Sequence, residues 1–429
     1  MTKPISYEEC LDWIHSKLKF GIKPGLQRME WMLGQLGNPQ DKIQGIHIVG
    51  TNGKGSTVAN LQQIFTTSDY QVGSFTSPFI LDFRERISVN GRMISQADLI
   101  NLVDRVYAIV EALPEETGLE PATEFEIITV MMFLYFAEIH PVDLVLVEAG
   151  LGGRLDSTNV FTPLMVVCPS IGLDHQAILG NAHVEIAREK AGAIKSGVPF
   201  VYATEREDVA QVFEDVCLDK RAPIYRLGAD FSLKNGLYSD RAGHVLETIV
   251  PGLPGQHQIS NAGLAIKASL LLQEQFPRVT KETIRQGLAQ TSWVGRTELL
   301  ASNLMIDGAH NDESVKALCD LLKSDYADKT IHILFAAIAG KPVETMLAQL
   351  AEVGQVTVTS FDYPTALSLE QYPANFAEIT DFRQWLANTN FTASHDFYVV
   401  TGSLYFISQV RNHLIPFEES EREQKKRNL

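Results

Sequence analysis

Ile46-His-Ile-Val-Gly-Thr-Asn-Gly-Lys-Gly-Ser56 decides how this chain is read. An apolar strand runs into a turn in which three glycines surround one lysine, and a helical pattern begins at Thr57. Glycines without side chains let backbone N–H groups wrap phosphate oxygens. Lys54 adds a point charge, and the following helix N-terminus completes an anion site. The loop is irregular. The usual phosphate loop has a glycine six residues before its lysine and a hydroxyl directly after it. Here Ile48 holds the first position, and Gly55 displaces the hydroxyl to Ser56.

Working outward, strand-like and helical segments alternate over the first 200 residues. Residues 46–49, 72–76, 143–148 and 164–168 read as strands, and 57–67, 97–113 and 123–139 as helices. Nearly continuous apolar strands imply burial on both faces, hence a parallel sheet covered by helices. The expected fold class is α/β: an N-terminal P-loop parallel-sheet ATPase domain plus a smaller C-terminal Rossmann-like α/β domain. The second region begins near residue 297, with strands at 299–307, 330–336, 355–359 and 397–401 and helices at 314–323, 343–352 and 380–388. The joint at 291–297 reads as a tight hinge, residues 201–248 as a small antiparallel insert, and the charged tail 418–427 as a segment that frays.

Bulk properties limit the function classes. A length of 429 residues predicts two domains, three at most. A net charge of −16 argues against nonspecific binding to nucleic acid or anionic membrane. Four widely spaced cysteines with no CxxC pair read as reduced thiols, with neither a zinc site nor a disulfide framework. The first six residues lack the apolar core of a signal peptide, and the longest apolar run, 127–137, falls short of the ~20 residues of a membrane span. A soluble, cytoplasmic protein is expected.

Several polar groups sit at the ends of those strands. Glu148 closes a core strand and precedes Ala149-Gly-Leu-Gly-Gly153, a position suited to Mg²⁺ beside a phosphate loop or to capping a helix. Leu173-Asp174-His175-Gln176 follows the next strand, so His175 is a metal or phosphate contact or a structural histidine. Ser77, in Thr76-Ser77-Pro78-Phe79, is a turn hydroxyl or a metal ligand. Spacing alone leaves Lys190, in Ile186-Ala-Arg-Glu-Lys190, as a solvated helix charge. In the second region Asp307 and His310 follow a strand, with Arg296 upstream. They read equally as a nucleotide-facing set or as an N-capping carboxylate and a structural histidine.

Taken together, these segments resemble bacterial folylpolyglutamate synthase and dihydrofolate synthase, within the ADP-forming Mur ligase superfamily. The resemblance covers essentially the whole chain. It rests on Gly50-Thr-Asn-Gly-Lys-Gly-Ser56, Thr76-Ser-Pro-Phe79, the run from Glu148 to Asn159, Leu173-Asp-His175, Glu189-Lys-Ala-Gly192, Asp307-Gly-Ala-His-Asn311 and Thr401-Gly-Ser-Leu-Tyr405. It implies that Gly53, Lys54, Gly55 and Ser56 bind the ATP phosphates. Ser77, Glu148, His175 and Lys190 would then ligate Mg²⁺, as two ions, with Lys190 carbamoylated. Asn261, Arg296 and Asp307 would contact the nucleotide, and His310 would lie on the glutamate side. Gly25, Leu26, Gln27, Arg28, Thr123, Leu155, Asp156 and Ser157 would face the pterin or folate. The implied catalytic residues are Lys54, Lys190 and His310.

By the same resemblance, residues 1–295 form an ATP-binding central domain with folate-binding segments and 296–429 a C-terminal glutamate-ligase domain, in a monomer. The implied reaction passes the γ-phosphate of ATP to a folate carboxylate. L-glutamate then attacks the acyl phosphate, with domain closure about 293–297 shielding it from water. Dihydropteroate is the alternative substrate. A kinase would release phosphorylated product and no amide, and an ATP-dependent switch would hydrolyse slowly without regard to folate or glutamate. Two positions depart from the family pattern: Asp312 stands where a proline is usual, and Gly340-Lys341-Pro342 where Asp-Lys-Asp is frequent.

Overall fold

The computed structural model describes residues 3–17, 25–389, 391 and 395–415. The charged tail at 418–427 lies outside them. The chain forms two compact units. The first comprises Met1–Phe79, Phe83–Gly252 and Ile259–Thr291, and the second Ile80–Asp82, Leu253–Gln258 and Ser292–Leu429. Ile80 belongs to the second unit because it packs in an apolar cluster with Leu304, Ile306, Leu404 and Ile407.

The first unit is built on strands β1 (Gly45–Ile48), β2 (Val72–Phe75), β3 (Ile87–Val89), β4 (Arg92–Met93), β5 (Leu144–Glu148), β6 (Met165–Cys168), β7 (Phe200–Tyr202) and β8 (Ile224–Arg226). Their order across the sheet is β4-β3-β2-β5-β1-β6-β7-β8. The pairs from β2 to β8 are parallel, and β3 and β4 add an antiparallel edge. Every residue of β1, β2, β5 and β6 is buried, as double-faced strands require. From β1 the chain crosses to β2 on one side, whereas from β6 it continues to β7 on the other. The carboxyl ends of β1 and β6 therefore flank a crevice, the usual ligand position in an open α/β sheet. Register sets Ile48 beside Glu148, so the phosphate loop and that carboxylate leave the sheet at the same edge.

Several expected elements shift. The helix read from Thr57 spans Lys54–Thr67, because Gly53 takes a left-handed φ of 85° and caps it three residues early. A polar Lys-Gly-Ser first turn carries no apolar signal. The helix expected over 123–139 is α-helical over Glu124–Leu134 and continues as a π-turn, Tyr135–Ile139. The antiparallel insert occupies only β9 (Phe231–Lys234), β10 (Leu237–Asp240) and β11 (Val245–Leu246), since β7, the helix Glu207–Lys220 and β8 extend the main sheet.

In the second unit, the single strand read over 299–307 is a hairpin of β12 (Glu298–Ala301) and β13 (Leu304–Ile306), broken at the turn-forming pair Ser302-Asn303. These join β14 (Thr330–Phe335), β15 (Gln355–Thr359), β16 (Ala377–Ile379) and β17 (Asp396–Thr401) in the order β12-β13-β17-β14-β15-β16, parallel except at β12. Among the described residues no helix is long and apolar enough to cross a membrane.

Candidate active site

The phosphate loop is pinned to the segment that follows β6. The Thr51 N–H donates to the Ser170 carbonyl at 2.9 Å, and the Asn52 N–H donates to Ser170 Oγ at 2.9 Å. Ser170 Oγ in turn donates to the Asn52 carbonyl, and Thr51 Oγ1 both donates to the Gly172 carbonyl and accepts from the Gly172 N–H. Thr51 and Ser170 are thus loop-shaping residues that motif reading passes over. Gly53 takes a backbone conformation that L side chains rarely adopt. Beyond its positive φ, an added Cβ would lie 2.7 Å from Asn261 Oδ1. Asn261 therefore borders the loop. The helix begins at Lys54, which places the amides of Lys54, Gly55 and Ser56 in its first turn.

Two cations meet at the loop. Lys54 Nζ donates to the carbonyls of Gly50 (3.0 Å) and Thr51 (3.2 Å), and Lys190 Nζ donates to the same Gly50 carbonyl at 2.8 Å. Lys190, which spacing alone left as a solvated charge, is only 3% exposed. Burial, reinforced by the charge of Lys54, brings its amine down to about 7. An amine that sheds its proton near neutrality is a nucleophile.

Ser77 and Glu148 are brought together: the Ser77 N–H lies 3.4 Å from Glu148 Oε2, and Glu148 is buried. His175 sits half-exposed with a left-handed φ of 52°, capping the short helix Gln176–Leu179. Its own N–H donates to Asp174 Oδ1. Among the described residues no three His, Cys, Asp or Glu side chains form a ready-made metal cage. The expected set contains only two such residues, Glu148 and His175.

The expected folate-side residues divide into two groups. Thr123 caps the helix Glu124–Leu134 through a reciprocal box with Glu126, and Glu126 also accepts from Arg28 Nε at 2.9 and 3.1 Å. Arg28 and Thr123 are therefore joined through one buried carboxylate that motif reading did not single out. Gly25 and Leu26 lead into the helix Gln27–Gln35, which carries Arg28. In the other group, Leu155 is exposed whereas Asp156 turns inward. Asp156 accepts from the Leu151 N–H (2.7 Å), the Thr158 N–H (2.9 Å) and Thr158 Oγ1. Burial raises its carboxyl, opposed by those donors and by Lys54. The same loop is fastened to the Lys190 helix. An added Cβ at Gly153 would lie 2.7 Å from the Lys190 carbonyl, and the Arg154 N–H donates to the Glu189 carbonyl at 2.7 Å.

In the second unit, Asp307 accepts from the N–H groups of Thr297 (2.8 Å) and Ala309 (2.9 Å). Arg296 reaches the Gly308 carbonyl at 3.4 Å, and His310 Nδ1 lies 2.7 Å from the same oxygen, which places a proton on Nδ1. His257, unremarked in the sequence, belongs to this group: burial lowers its pKa, while Asp307 raises it and Arg296 lowers it.

None of the family models compared matches the chain. Individual proteins do. The dihydrofolate synthase/folylpolyglutamate synthase of Bacillus subtilis is 41% identical over 436 residues, covering 95% of this chain and 99% of that protein. The folylpolyglutamate synthase of Lacticaseibacillus casei is 33% identical, covering 96% of this chain and 99% of that protein. Among solved structures, a folylpolyglutamate synthase–AMPPCP–folate complex superposes with a TM-score of 0.85 at 31% identity, covering 96% of this chain and 100% of that one. Mycobacterium tuberculosis folylpolyglutamate synthase complexed with ADP and AMPPCP gives 0.85 at 27% identity, covering 95% of this chain and 98% of that one.

Proposed function

The chain belongs to the dihydrofolate synthase/folylpolyglutamate synthase family, and from that membership we propose that it joins L-glutamate to the γ-carboxylate of a folate at the expense of ATP. The γ-phosphoryl group passes to the carboxylate, giving an acyl phosphate and ADP. The glutamate amine attacks the acyl carbon, phosphate leaves, and the amine proton is lost to solvent.

Within this reading the amides of Gly53, Gly55 and Ser56 hold the phosphates. Lys54 withdraws from Gly50 and Thr51 to meet the transferred charge. Asn261, against Gly53, contacts the nucleotide. Arg296 and Asp307 keep their expected nucleotide role, and His310 its glutamate-side role. Magnesium, when bound, neutralises phosphate charge, and Ser77, Glu148, His175 and Lys190 would hold it. The adjacency of Ser77 and Glu148 and the low basicity of Lys190 support that set. Reaction of the neutral Lys190 amine with CO₂ forms an N–C bond and releases one proton, converting a neutral amine into a carbamate that bears a carboxylate-like charge. Gly25 to Arg28, Thr123 and Leu155 to Ser157 are the folate-side residues of this proposal, in a cytoplasmic monomer.

The observation that carries the reading is the convergence of Lys54 and Lys190 on Gly50. A phosphate loop alone serves many ATPases, but a second, buried lysine of depressed basicity on the same carbonyl has no use in a simple switch. A second reaction, glutamate addition to dihydropteroate, is favoured by the Bacillus subtilis relative, whose name carries both activities. Incubation with ATP and glutamate plus either tetrahydrofolate or dihydropteroate tests both. Amide product with tetrahydrofolate is expected. Phosphorylated product without amide, or hydrolysis indifferent to either acceptor, would refute the proposal.

A further inference from the structure

His47 is fully buried in β1, three residues before the phosphate loop and between the apolar Ile46 and Ile48. Its Nε2 lies 2.8 Å from Thr158 Oγ1. The single hydroxyl proton of Thr158 points to Asp156 Oδ1, whose carboxylate is an acceptor, so the hydroxyl receives the hydrogen bond from His47. That assigns the ring proton to Nε2 and leaves Nδ1 bare, and Nδ1 is the buried nitrogen without a hydrogen-bond partner. Burial, together with the nearby Lys195, holds the ring neutral, at about 3. The relay continues through Asp156 to the Leu151 N–H, at the start of the glycine loop.

A buried histidine with one unpaired nitrogen costs stability that an apolar residue would not. Besides packing on Phe161, its visible return is orientation through Thr158. It ties the 151–158 loop to an internal strand of the sheet, in addition to the Gly153 and Arg154 contacts that reach the Lys190 helix. We propose that His47 is a positioning residue for the folate-side loop, acting through Thr158 on Asp156 and so setting the register of Leu155, Asp156 and Ser157 against the acceptor substrate. This rests on the folate role assigned to those three residues above. Because the relay ends in that loop, its loss affects the acceptor and spares the nucleotide.

The test is a double-mutant cycle on the full chain, with tetrahydrofolate as acceptor. His47→Leu and Thr158→Val should each raise the folate KM about tenfold, the scale of one lost hydrogen bond. The KM for ATP should stay within about twofold, and the double variant should be no worse than either single one, as for two members of one relay. Thr158→Ser and His47→Gln, which keep a hydroxyl and a donor, should restore most of the folate KM. If Thr158→Val fails to fold, His47→Gln against His47→Leu carries the comparison. An unchanged folate KM, equal shifts in both KM values, or additive single effects would overturn the inference while wild-type ligation still stands. Wild-type protein that ligates no folate would overturn the functional reading and this inference together.

Discussion

Lys54 and Lys190 share one acceptor: the Gly50 carbonyl oxygen lies 3.0 Å from the first ammonium and 2.8 Å from the second nitrogen. Two like charges on one oxygen, one of them buried, cannot both stay fully protonated at little cost. The shared geometry accounts for why burial and Lys54 together depress Lys190.

Lys190→Met removes the buried amine and keeps the stem. Ligation should be abolished, whereas the unfolding midpoint should not fall. The pH dependence has a definite sign. In the unfolded chain the lysine titrates near its ordinary 10.5 and in the folded protein at about 7, so between those values the unfolded state binds the extra proton. Wild-type stability relative to Lys190→Met should therefore rise with pH across that window by about 1.4 kcal/mol per pH unit. Below pH 7 both states are charged and the difference levels off. Urea unfolding of both proteins at several pH values measures this, and a difference independent of pH would refute it. Lys190→Ala should regain some ligation with a short-chain carboxylic acid.

Gly53→Ala isolates the loop. The left-handed φ costs an L-residue about 1–2 kcal/mol, and the new methyl would press on Asn261 Oδ1, at 2.7 Å. ATP affinity should fall at least about tenfold. Gly153→Ala, whose methyl meets the Lys190 backbone, should lose ligation with a smaller effect on ATP binding. Nucleotide titration separates the two, and equal losses in ATP affinity would contradict this division.

What was legible in the sequence follows how local each signal is. The phosphate loop, Glu148 and Ser77 lie at strand ends, where an apolar run meets glycine or serine, and the parallel register carried them to one edge. Lys190 was not legible from spacing, because the packing of its helix against Gly153 and Gly50 is what buries it. Glu126 and His257 were missed for the same reason: each is defined by partners distant in the chain, Arg28 for one and Asp307 with Arg296 for the other. The hairpin within 298–306 was read as one strand because an apolar alternation hides a two-residue turn.

Asp240 anchors the antiparallel insert to the helix Gln256–Leu271. Its carboxylate accepts from Lys267 Nζ at 2.9 Å, with both side chains buried, and from His244. Burial works against its ionisation, but Lys267 and His244 outweigh it and hold the carboxyl at about 2. A depressed carboxyl stabilises the fold fully above its unfolded value, near 3.8, and loses that contribution as pH falls towards 2. Asp240→Asn, which leaves Lys267 buried without its anion, should cost about 3–5 kcal/mol at neutral pH. The penalty should shrink between about pH 4 and pH 2. Denaturant melts at pH 7 and pH 3 check both statements, and a penalty unchanged by acid would refute the ion-pair account.

The two departures from the family pattern meet at one hydroxyl. Thr345 Oγ1 reaches both the Asp312 carboxylate and the Pro342 carbonyl, the latter at 2.9 Å. Asp312 is the first residue of the helix Asp312–Asp325, after the cap Asn311, where a proline's fixed φ is tolerated. Asp312→Pro should therefore keep the helix start. It exchanges the Thr345 link and a favourable N-terminal charge for a pre-set backbone, so stability should change by no more than about 1 kcal/mol. His310, two residues upstream, is held by Gly308 through its ring and by Ser314 through its N–H, neither of which involves Asp312. The glutamate KM of Asp312→Pro should then stay within about threefold of wild type. A tenfold rise would mean that Asp312 itself reaches the glutamate, and the steady-state KM for glutamate at saturating ATP and folate decides between the two.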